Sequence, residues 1–343
     1  VELKMHKPGP GAITLGVLIA IGAIIYGASI VWTEILWFRQ MSATRVILTQ
    51  WGAHIGLFVV GFIVATALVY FSMAFAYRHR TSSSRGEASA ALRGYQEALE
   101  PMRRLAFWGV AIFFGFTNGT RLATEWQTLL QFLNRSSFGQ VDPQFGLDIS
   151  FFVFVLPAIK VLVSFLMTVT GIGLVAAIIV SYLYGMIRLT PRPHASKQAR
   201  LQTGMMAACL SLFIGVNYWL GRYELLTSDS GSIHGAMYSD INATLPAHSI
   251  LAVISGLVAL LFVVAAFKGT WRLPVAGVAV TVVAALVLAG AYPALVEQFR
   301  VRPNQRSLES PYIQRNIDAT LAAYGLQDVD YQTNYDAATT ASA

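Results

Sequence analysis

The sequence predicts an all-α membrane protein, a polytopic bundle of about seven transmembrane helices, and two observations carry this prediction. Of the 343 residues, 55% are hydrophobic and only 12% are charged, whereas an ordinary soluble domain is about 25% charged. The apolar residues also fall in seven runs, each near the ~20 residues that a helix needs to cross the hydrocarbon core. Lipid is therefore the predicted solvent for most of the chain.

The seven predicted spans follow one another without a stretch of domain length between them. They cover 12–31, 51–76, 105–120, 159–186, 203–220, 250–267 and 273–292. Residues 1–295 are predicted to form one membrane domain, whose basic start leads into a first span that is retained. Residues 296–343 are predicted to begin an extracytoplasmic region. Pro293, Pro303 and Pro311 predict that this region is broken into short extended pieces.

Basic residues concentrate on alternate sides of these spans. With the N-terminus placed inside, the inner segments hold 14 lysines and arginines, while the outer loops hold 5 together with seven acids. Positively charged loops favour the cytoplasmic side of a membrane. The sequence therefore predicts an N-in, C-out orientation. Because topology accounts for the basic loops, the net charge of +7 does not indicate nucleic-acid binding.

Two amphipathic segments, 87–104 and 125–135, predict helices that lie on the membrane surface rather than cross it. In the second segment, Trp126, Leu130 and Leu133 recur at helical spacing. An apolar stripe opposite polar residues is typical of interfacial helices. Loop helices that pack on neighbouring spans are the alternative interpretation.

Charged groups within or beside the spans are the first functional candidates, because they are costly in hydrocarbon. Lys160 lies at the outer end of the fourth span, where its long stem favours an ammonium that snorkels to the headgroups. Glu34 follows the first span and is interpreted as an interfacial carboxylate, with Arg39 or Arg121 as alternative partners. Both positions are near the predicted outer surface.

Uncharged polar groups in the spans favour packing roles. His54 is interpreted as a hydrogen-bonded packing residue, and Asn118 and Asn217 as hydrogen-bond partners between helices. No ladder of Asp, Glu and His runs through several spans, so the sequence gives poor support to a proton pump.

Catalytic and metal-binding patterns are absent from the sequence. No HExxH, GxSxG or GxxxxGK[ST] motif occurs, and the single cysteine, Cys209, excludes a disulfide within the chain. Asp229, His234, Asp240 and His248 share one outer region, but their spacing fits no known set of metal ligands. We expect neither an enzyme nor a cofactor.

Two outer loops, 136–157 and 222–246, combine acids, turn formers and aromatic residues. We expect them to be structured and to pack together over the outer ends of the helices, as a vestibule, a docking platform or a plain structural cap. An aspartate here is predicted to cap a short helix, and 149–156 to form a half-helix halted at Pro157. The candidate structural or docking residues are Asp142, Asp148, Phe151, Phe152, Tyr238, Asp240 and Asn242.

Several stretches of the sequence carry a family resemblance. They are EILWF at 34–38, FGQVDPQFGLDISFFVFVLP at 138–157, GAMYSDINATLP at 235–246, VRPN at 301–304, ESPYIQRNI at 309–317 and TLAAYGL at 320–326. With them the chain resembles uncharacterised protein family 0182, multi-spanning membrane proteins of actinobacteria and other bacteria. It departs from the family at Gln305 and Arg306, where members tend to be acidic.

The resemblance implies an architecture and no activity. It implies seven N-terminal spans followed by a large extracytoplasmic domain, so this chain is expected to be the membrane part of such a protein, in the bacterial cell membrane. The leading hypothesis is a non-enzymatic scaffold or anchor of an envelope complex, which docks a partner protein or a second copy of itself through its outer loops. The alternative is a transporter or lipid-handling protein, whose outer or lateral cavity would lie around Phe151–Phe154 and make Lys160 and Glu34 accessible to water.

Overall fold

The computed structural model of the chain describes residues 10–80, 94, 100–188, 194–228, 235–270 and 272–329. Helices dominate these residues, so the all-α class is confirmed. The helices are α1 (Pro10–Gln40), α2 (Thr44–Arg78), α3 (Arg103–Ala123), α4 (Trp126–Leu133), α5 (Leu156–Leu183), α6 (Lys197–Glu224), α7 (Leu245–Lys268), α8 (Arg272–Ala284), α9 (Tyr292–Val296) and α10 (Gln305–Ala323). A two-residue antiparallel pair, β1 (Ile187–Arg188) with β2 (His194–Ala195), precedes α6.

Among the described residues, six helical stretches are long and apolar enough to cross a membrane, so the chain has the architecture of a multi-pass membrane protein. They are Thr14–Gln40, Thr44–Arg78, Phe151–Leu183, Lys197–Thr227, Asp240–Lys268 and Arg272–Ala323. The third predicted span is the helix α3, which is not among the six. It begins with two arginines and carries Asn118 and Arg121 near its other end, and these polar groups lower its mean hydropathy. A count of seven spans stays a prediction.

Four turns of π-helix each precede a proline. They span Phe151–Val155, Asp240–Thr244, Ala285–Ala291 and Glu297–Val301, ahead of Pro157, Pro246, Pro293 and Pro303. A proline ring collides with the carbonyl four residues earlier, and that carbonyl lies inside the wider π-turn in every case. The chain therefore passes each proline without leaving a helical course.

These turns overturn two predictions. The half-helix expected to halt at Pro157 continues through the π-turn into α5. The extended pieces expected after Tyr292 are helical, and Pro311 lies inside α10. The predictions treat proline as a helix breaker, whereas π-turns absorb the clash at Pro157, Pro293 and Pro303, and Pro311 is accommodated inside α10 itself. Of the two expected surface helices, 125–135 contains the helix α4, whereas most of 87–104 lies outside the described residues.

Glycines let the central helices approach closely. Helix α2 packs on α3 and α5, α6 packs on α5 and α7, and α8 packs on α7. A Cβ added to Gly119 of α3 would lie 2.9 Å from the carbonyl oxygen of Phe58 in α2, and one added to Gly204 of α6 would lie 2.7 Å from the Cβ of Ala266 in α7. Small residues at such contacts drive helix association in lipid, where the hydrophobic effect is weak.

The two ends of the bundle differ in composition. At the basic end, α2 finishes at Arg78 and α3 begins at Arg103, while α6 begins at Lys197. At the opposite end lie α4, the turn 137–150, the segment 235–246 and α10. We call these last three pieces the platform. Arg272–Ala323 holds 52 residues, more than twice the ~20 that a helix needs to cross a hydrocarbon core, so this stretch is longer than one crossing requires.

Candidate functional site

Two aspartates build the first piece of the platform. The carboxylate of Asp142 accepts hydrogen bonds from the backbone N–H groups of Gln144 and Phe145, at 2.9 and 2.6 Å. The carboxylate of Asp148 accepts from the backbone N–H groups of Phe138, Gly139 and Ser150 and from the hydroxyl of Ser137. Asp148 thus caps the start of the helical course that leads into α5, and Asp142 caps a turn.

Hydrogen bonds to its charged form lower the pKa of Asp148. The Ser137 hydroxyl contributes most, followed by the hydroxyl and backbone N–H of Ser150. The folded turn therefore favours the ionised carboxylate. Its contribution to stability is present above the ordinary carboxyl pKa and disappears as the pH falls through the lowered value.

A buried glutamate joins the second piece of the platform to α10. The side chain of Glu309 is only 1% exposed, and its two carboxylate oxygens accept from the backbone N–H of Tyr238 at 3.2 and 3.1 Å. No ion pair of Glu309 occurs among the described residues. Burying a carboxylate is costly unless it is hydrogen-bonded, so this contact strongly fixes the position of α10.

Two further contacts bind the segment 235–246 to α10. The amide of Asn242 donates to the Tyr312 hydroxyl at 3.3 Å and to the Tyr238 carbonyl at 2.9 Å, and the rings of Tyr238 and Tyr312 meet edge to face. Asp240 accepts from the backbone N–H of Met237 at 3.0 Å, which closes the segment on itself.

The three pieces of the platform meet one another. The guanidinium of Arg315 in α10 donates to the side-chain oxygen of Gln144 in the first turn, at 3.4 Å. A cavity of about 170 Å³ between them is lined by residues of all three pieces, including Asp142, Ile241 and Tyr312. The two loops therefore lie over the same end of the bundle, as the sequence predicted, and α10 bridges them.

Aromatic packing anchors the platform to the helices beneath it. Phe151 and Phe152 contact each other and the ring of Tyr223 in α6, and Phe145 of the first turn lies 4.8 Å from the same tyrosine. Phe152 is buried with Leu220 of α6. Phe152 is thus a core residue of this end, and Phe151 packs against it.

A groove with charged and apolar lining opens between α3, α5 and α6. Its volume is about 410 Å³, and it is lined by Arg121, Leu122, Glu125, Lys160, Val161, Ser164, Phe165, Met167 and Asn217. The ammonium of Lys160 is paired with the carboxylate of Glu224 at the end of α6. Arg121 donates to the hydroxyls of Ser164 and Thr168 at 2.9 and 3.0 Å, which ties α3 to α5.

The remaining predicted polar residues have local roles. The ring of His54 lies 5.2 Å from that of Trp126, so α4 packs on α2 there. Glu34 is half-buried, and within the described part of the chain the ion pairs include neither it nor Arg39 or Arg121. The amide of Asn118 donates to a carbonyl of its own helix, which corrects the expected bond between helices.

Among the described residues, no group of three or more His, Cys, Asp and Glu side chains is placed to hold a metal ion. Two of the four residues considered for a metal, Asp229 and His234, lie outside them. Of the other two, Asp240 closes its own segment, and His248 packs against Gly221 and Tyr218 of α6.

Sequence reasoning missed the residues that unite the site. Glu309, Tyr312 and Arg315 lie far along the chain from the loops they hold, and Arg121 was considered only as a partner for Glu34. One available signal was the spacing in α10, because Glu309, Tyr312 and Asn316 recur at i, i+3 and i+7 and so share a helix face.

These observations define a class, a multi-pass helical membrane protein whose helix ends are covered on one side by an ordered polar platform. Residues 11–343 match the uncharacterised protein family UPF0182, and the chain belongs to this family. It is 42% identical over 336 residues to a UPF0182 protein of Kocuria rhizophila, 41% over 337 to one of Paenarthrobacter aurescens and 41% over 333 to one of Clavibacter sepedonicus.

The matches cover 96–97% of this chain but 34% of each relative. The chain therefore spans about a third of the length of these relatives. No solved structure matches it.

Proposed function

We propose that this chain is an integral membrane scaffold of the bacterial envelope, which positions partner proteins or a second copy of itself on the platform. The observation that carries the proposal is the carboxylate of Glu309, 1% exposed and held by the Tyr238 backbone. A buried carboxylate fixes one arrangement of the surrounding pieces, because any alternative leaves it unsatisfied.

The exposed surface of the platform supports docking. Phe138 and Val141 of the first turn are 51% and 66% exposed although Asp142 and Asp148 hold that turn rigidly. Apolar side chains displayed on an ordered, polar frame are typical of protein contacts. The spans by contrast carry few charged groups, which favours a structural role for the bundle over a transport pathway.

The platform is placed outside the cell membrane in this proposal. Among the described residues, Arg78, Arg103, Lys197 and Arg272 belong to the opposite, basic end, and basic loops favour the cytoplasm. The membrane concerned is the plasma membrane, and neither an enzymatic activity nor a cofactor is part of the proposal.

A photo-crosslinking amino acid at Val141 in living cells tests the docking role. We expect a discrete protein adduct, or a crosslinked dimer, from Val141. The matched control is Val280 on α8, which is 58% exposed on the apolar face of a predicted span and is expected to give lipid adducts alone. Equal adducts at both positions, or none at Val141, would contradict the scaffold proposal.

Accessibility of introduced cysteines tests the orientation. In a Cys209→Ser background, Ser136→Cys beside the platform should react with a membrane-impermeant maleimide on intact cells, and His79→Cys at the basic end should react only after lysis. The reverse pattern would show that the platform faces the cytoplasm.

A further inference from the structure

The groove between α3, α5 and α6 lies near the ends of these helices, where we expect headgroups to meet hydrocarbon. Arg121 is in the last turn of α3, and Lys160 is in the second turn of α5, which runs in the opposite direction. The groove therefore lies at the end of the bundle that bears the platform. Trp126, the first residue of α4, lies at the same level, and tryptophan is enriched where membranes meet water.

The groove presents fixed hydrogen-bond donors. A guanidinium has five N–H donors, and Arg121 uses two of them on Thr168 and Ser164. These bonds hold the planar guanidinium in place, and its hydrogen bonds to other described residues leave three N–H donors unused. The ammonium of Lys160 has three donors, of which the pair with Glu224 engages one. Phosphate oxygens are the natural acceptors for such a pair of cations.

The groove also presents a hydrogen-bond acceptor, the carboxylate of Glu125, that forms no ion pair with a described residue. One carboxylate oxygen of Glu125 accepts from the Thr128 hydroxyl at 3.2 Å, and no ion pair of Glu125 occurs among the described residues. Because Lys160 and Glu224 neutralise each other, the groove has one net positive group, Arg121, and one net negative group, Glu125. This charge pattern matches a zwitterion better than an anion.

Apolar side chains continue the groove below the charges. Leu122, Val161, Phe165 and Met167 line it together with the polar groups. An amphiphile fits this lining, since its polar part meets the charges and its hydrocarbon meets the apolar wall. A small soluble ion would leave that wall uncovered.

We propose that this groove binds a glycerophospholipid whose headgroup carries both a phosphate and an amine. Arg121 and Lys160 donate to the phosphate, and Glu125 accepts from the ammonium. Asn217, on the α6 wall, supplies an uncharged amide that can serve either group. The site is separate from the platform and adds to the scaffold role a selection of the surrounding lipid.

Native mass spectrometry of the detergent-solubilised chain tests this site. The protein is offered equimolar phosphatidylethanolamine and phosphatidylglycerol, and retained lipid is counted for the wild type, Glu125→Gln, Arg121→Gln and the control Arg135→Gln. Arg135 is a cation at the same end, but it lies over the Phe132 ring and does not line the groove. Soluble O-phosphoethanolamine and inorganic phosphate are added as competitors.

The expected result is a preference of about tenfold for phosphatidylethanolamine, since one charge-assisted hydrogen bond is of that order. Glu125→Gln should abolish the preference while phosphatidylglycerol is still retained, Arg121→Gln should weaken both lipids, and Arg135→Gln should change neither. Arg121→Lys, which keeps the positive charge but not the planar guanidinium, should retain more lipid than Arg121→Gln.

Three results would overturn the proposal. Equal retention of the two lipids by the wild type would remove the zwitterion argument. A preference that survives Glu125→Gln would place the selection elsewhere. Displacement of the lipid by O-phosphoethanolamine or phosphate at equal concentration would identify a soluble ligand. None of these outcomes depends on crosslinking at Val141, so the lipid-site proposal and the scaffold proposal can each be contradicted without the other.

Discussion

A glutamate side chain connects neighbouring segments at each end of the bundle, but the two glutamates differ in burial and in the groups that they contact. At the basic end, Glu100 is exposed and surrounded by cations, with Arg103 at 3.0 Å and Arg80 at 3.9 Å. At the platform end, Glu309 is buried and held by the backbone N–H of Tyr238. The first arrangement resembles a surface ion pair, and the second a buried cap.

This difference indicates which end of the bundle is held more rigidly. Exposed ion pairs contribute little, because solvent and salt screen them. A buried carboxylate that loses its donor pays a large desolvation cost, which makes its geometry nearly obligatory. We therefore expect the platform to be one fixed surface, whereas the exposed ion pairs at the basic end can rearrange. The docking role that we propose is assigned to this fixed surface.

Replacing Glu309 should have the largest effect on this comparison. Glu309→Ala leaves the Tyr238 N–H buried without an acceptor and opens a cavity, at a cost of about 1–3 kcal/mol. We expect a lower melting temperature in detergent and faster proteolysis of α10. Glu100→Ala should cost under about 1 kcal/mol. Equal destabilisation by the two variants would remove the proposed distinction.

Overpacking the α2–α3 contact, in the middle of the bundle, should have the next largest effect on stability. Gly119→Leu places a side chain against the α2 backbone and should cost about 1–3 kcal/mol, measured by thermal unfolding. Gly56→Leu in α2 is the matched control, because a Cβ there meets nothing within 4 Å. Similar melting temperatures for these two variants would show that the α2–α3 contact is looser than described.

High salt should affect the two ends differently, and this effect should be smaller than those of the substitutions. Raising the ionic strength to about 1 M shortens the screening length to roughly 3 Å, which should weaken the Glu100 pairs but not the Glu309 contact. Hydrogen exchange at the basic end should therefore accelerate relative to that in α10. A salt-dependent increase confined to α10 would reverse the assignment.

Stability at the two ends should depend on pH in opposite directions: the basic end should lose stability in alkali and the platform turn in acid. Burial, and then the charge of Glu100, raises the pKa of Tyr184 to about 12. The folded state thus favours neutral Tyr184, and this stability is present below pH 10 and lost as the pH rises towards 12. Comparing unfolding of the wild type and Tyr184→Phe at pH 9 and 11 should show a smaller alkaline loss in the variant.

Acid should act on the platform turn, and this is the smallest expected effect. The pKa of Asp148 is lowered by its hydrogen bonds, so its contribution is present at neutral pH and lost as the pH falls below the ordinary carboxyl value. Asp148→Asn should remove this acid dependence, read as hydrogen exchange of the Gly139 and Ser150 amides. A variant that retains the full dependence would contradict this account.

The sequence by itself determined the all-α class, the positions of the apolar helices and the two structured loops. Hydrophobic run length and charge placement are local properties, so they can be read without knowing which helices touch. The same reasoning found Asp142 and Asp148, whose hydrogen bonds reach residues at most ten or eleven positions away.

Only the tertiary structure decided how the prolines are accommodated and what the charged residues contact. A proline disfavours regular helix, but a π-turn upstream of Pro157 or Pro293 removes the clash, and its formation depends on packing around the turn. Lys160 looked like a snorkelling lysine until α6 brought Glu224 to it. Glu309 looked like part of a polar tail until α10 placed it under Tyr238, because burial is a property of neighbours distant in sequence.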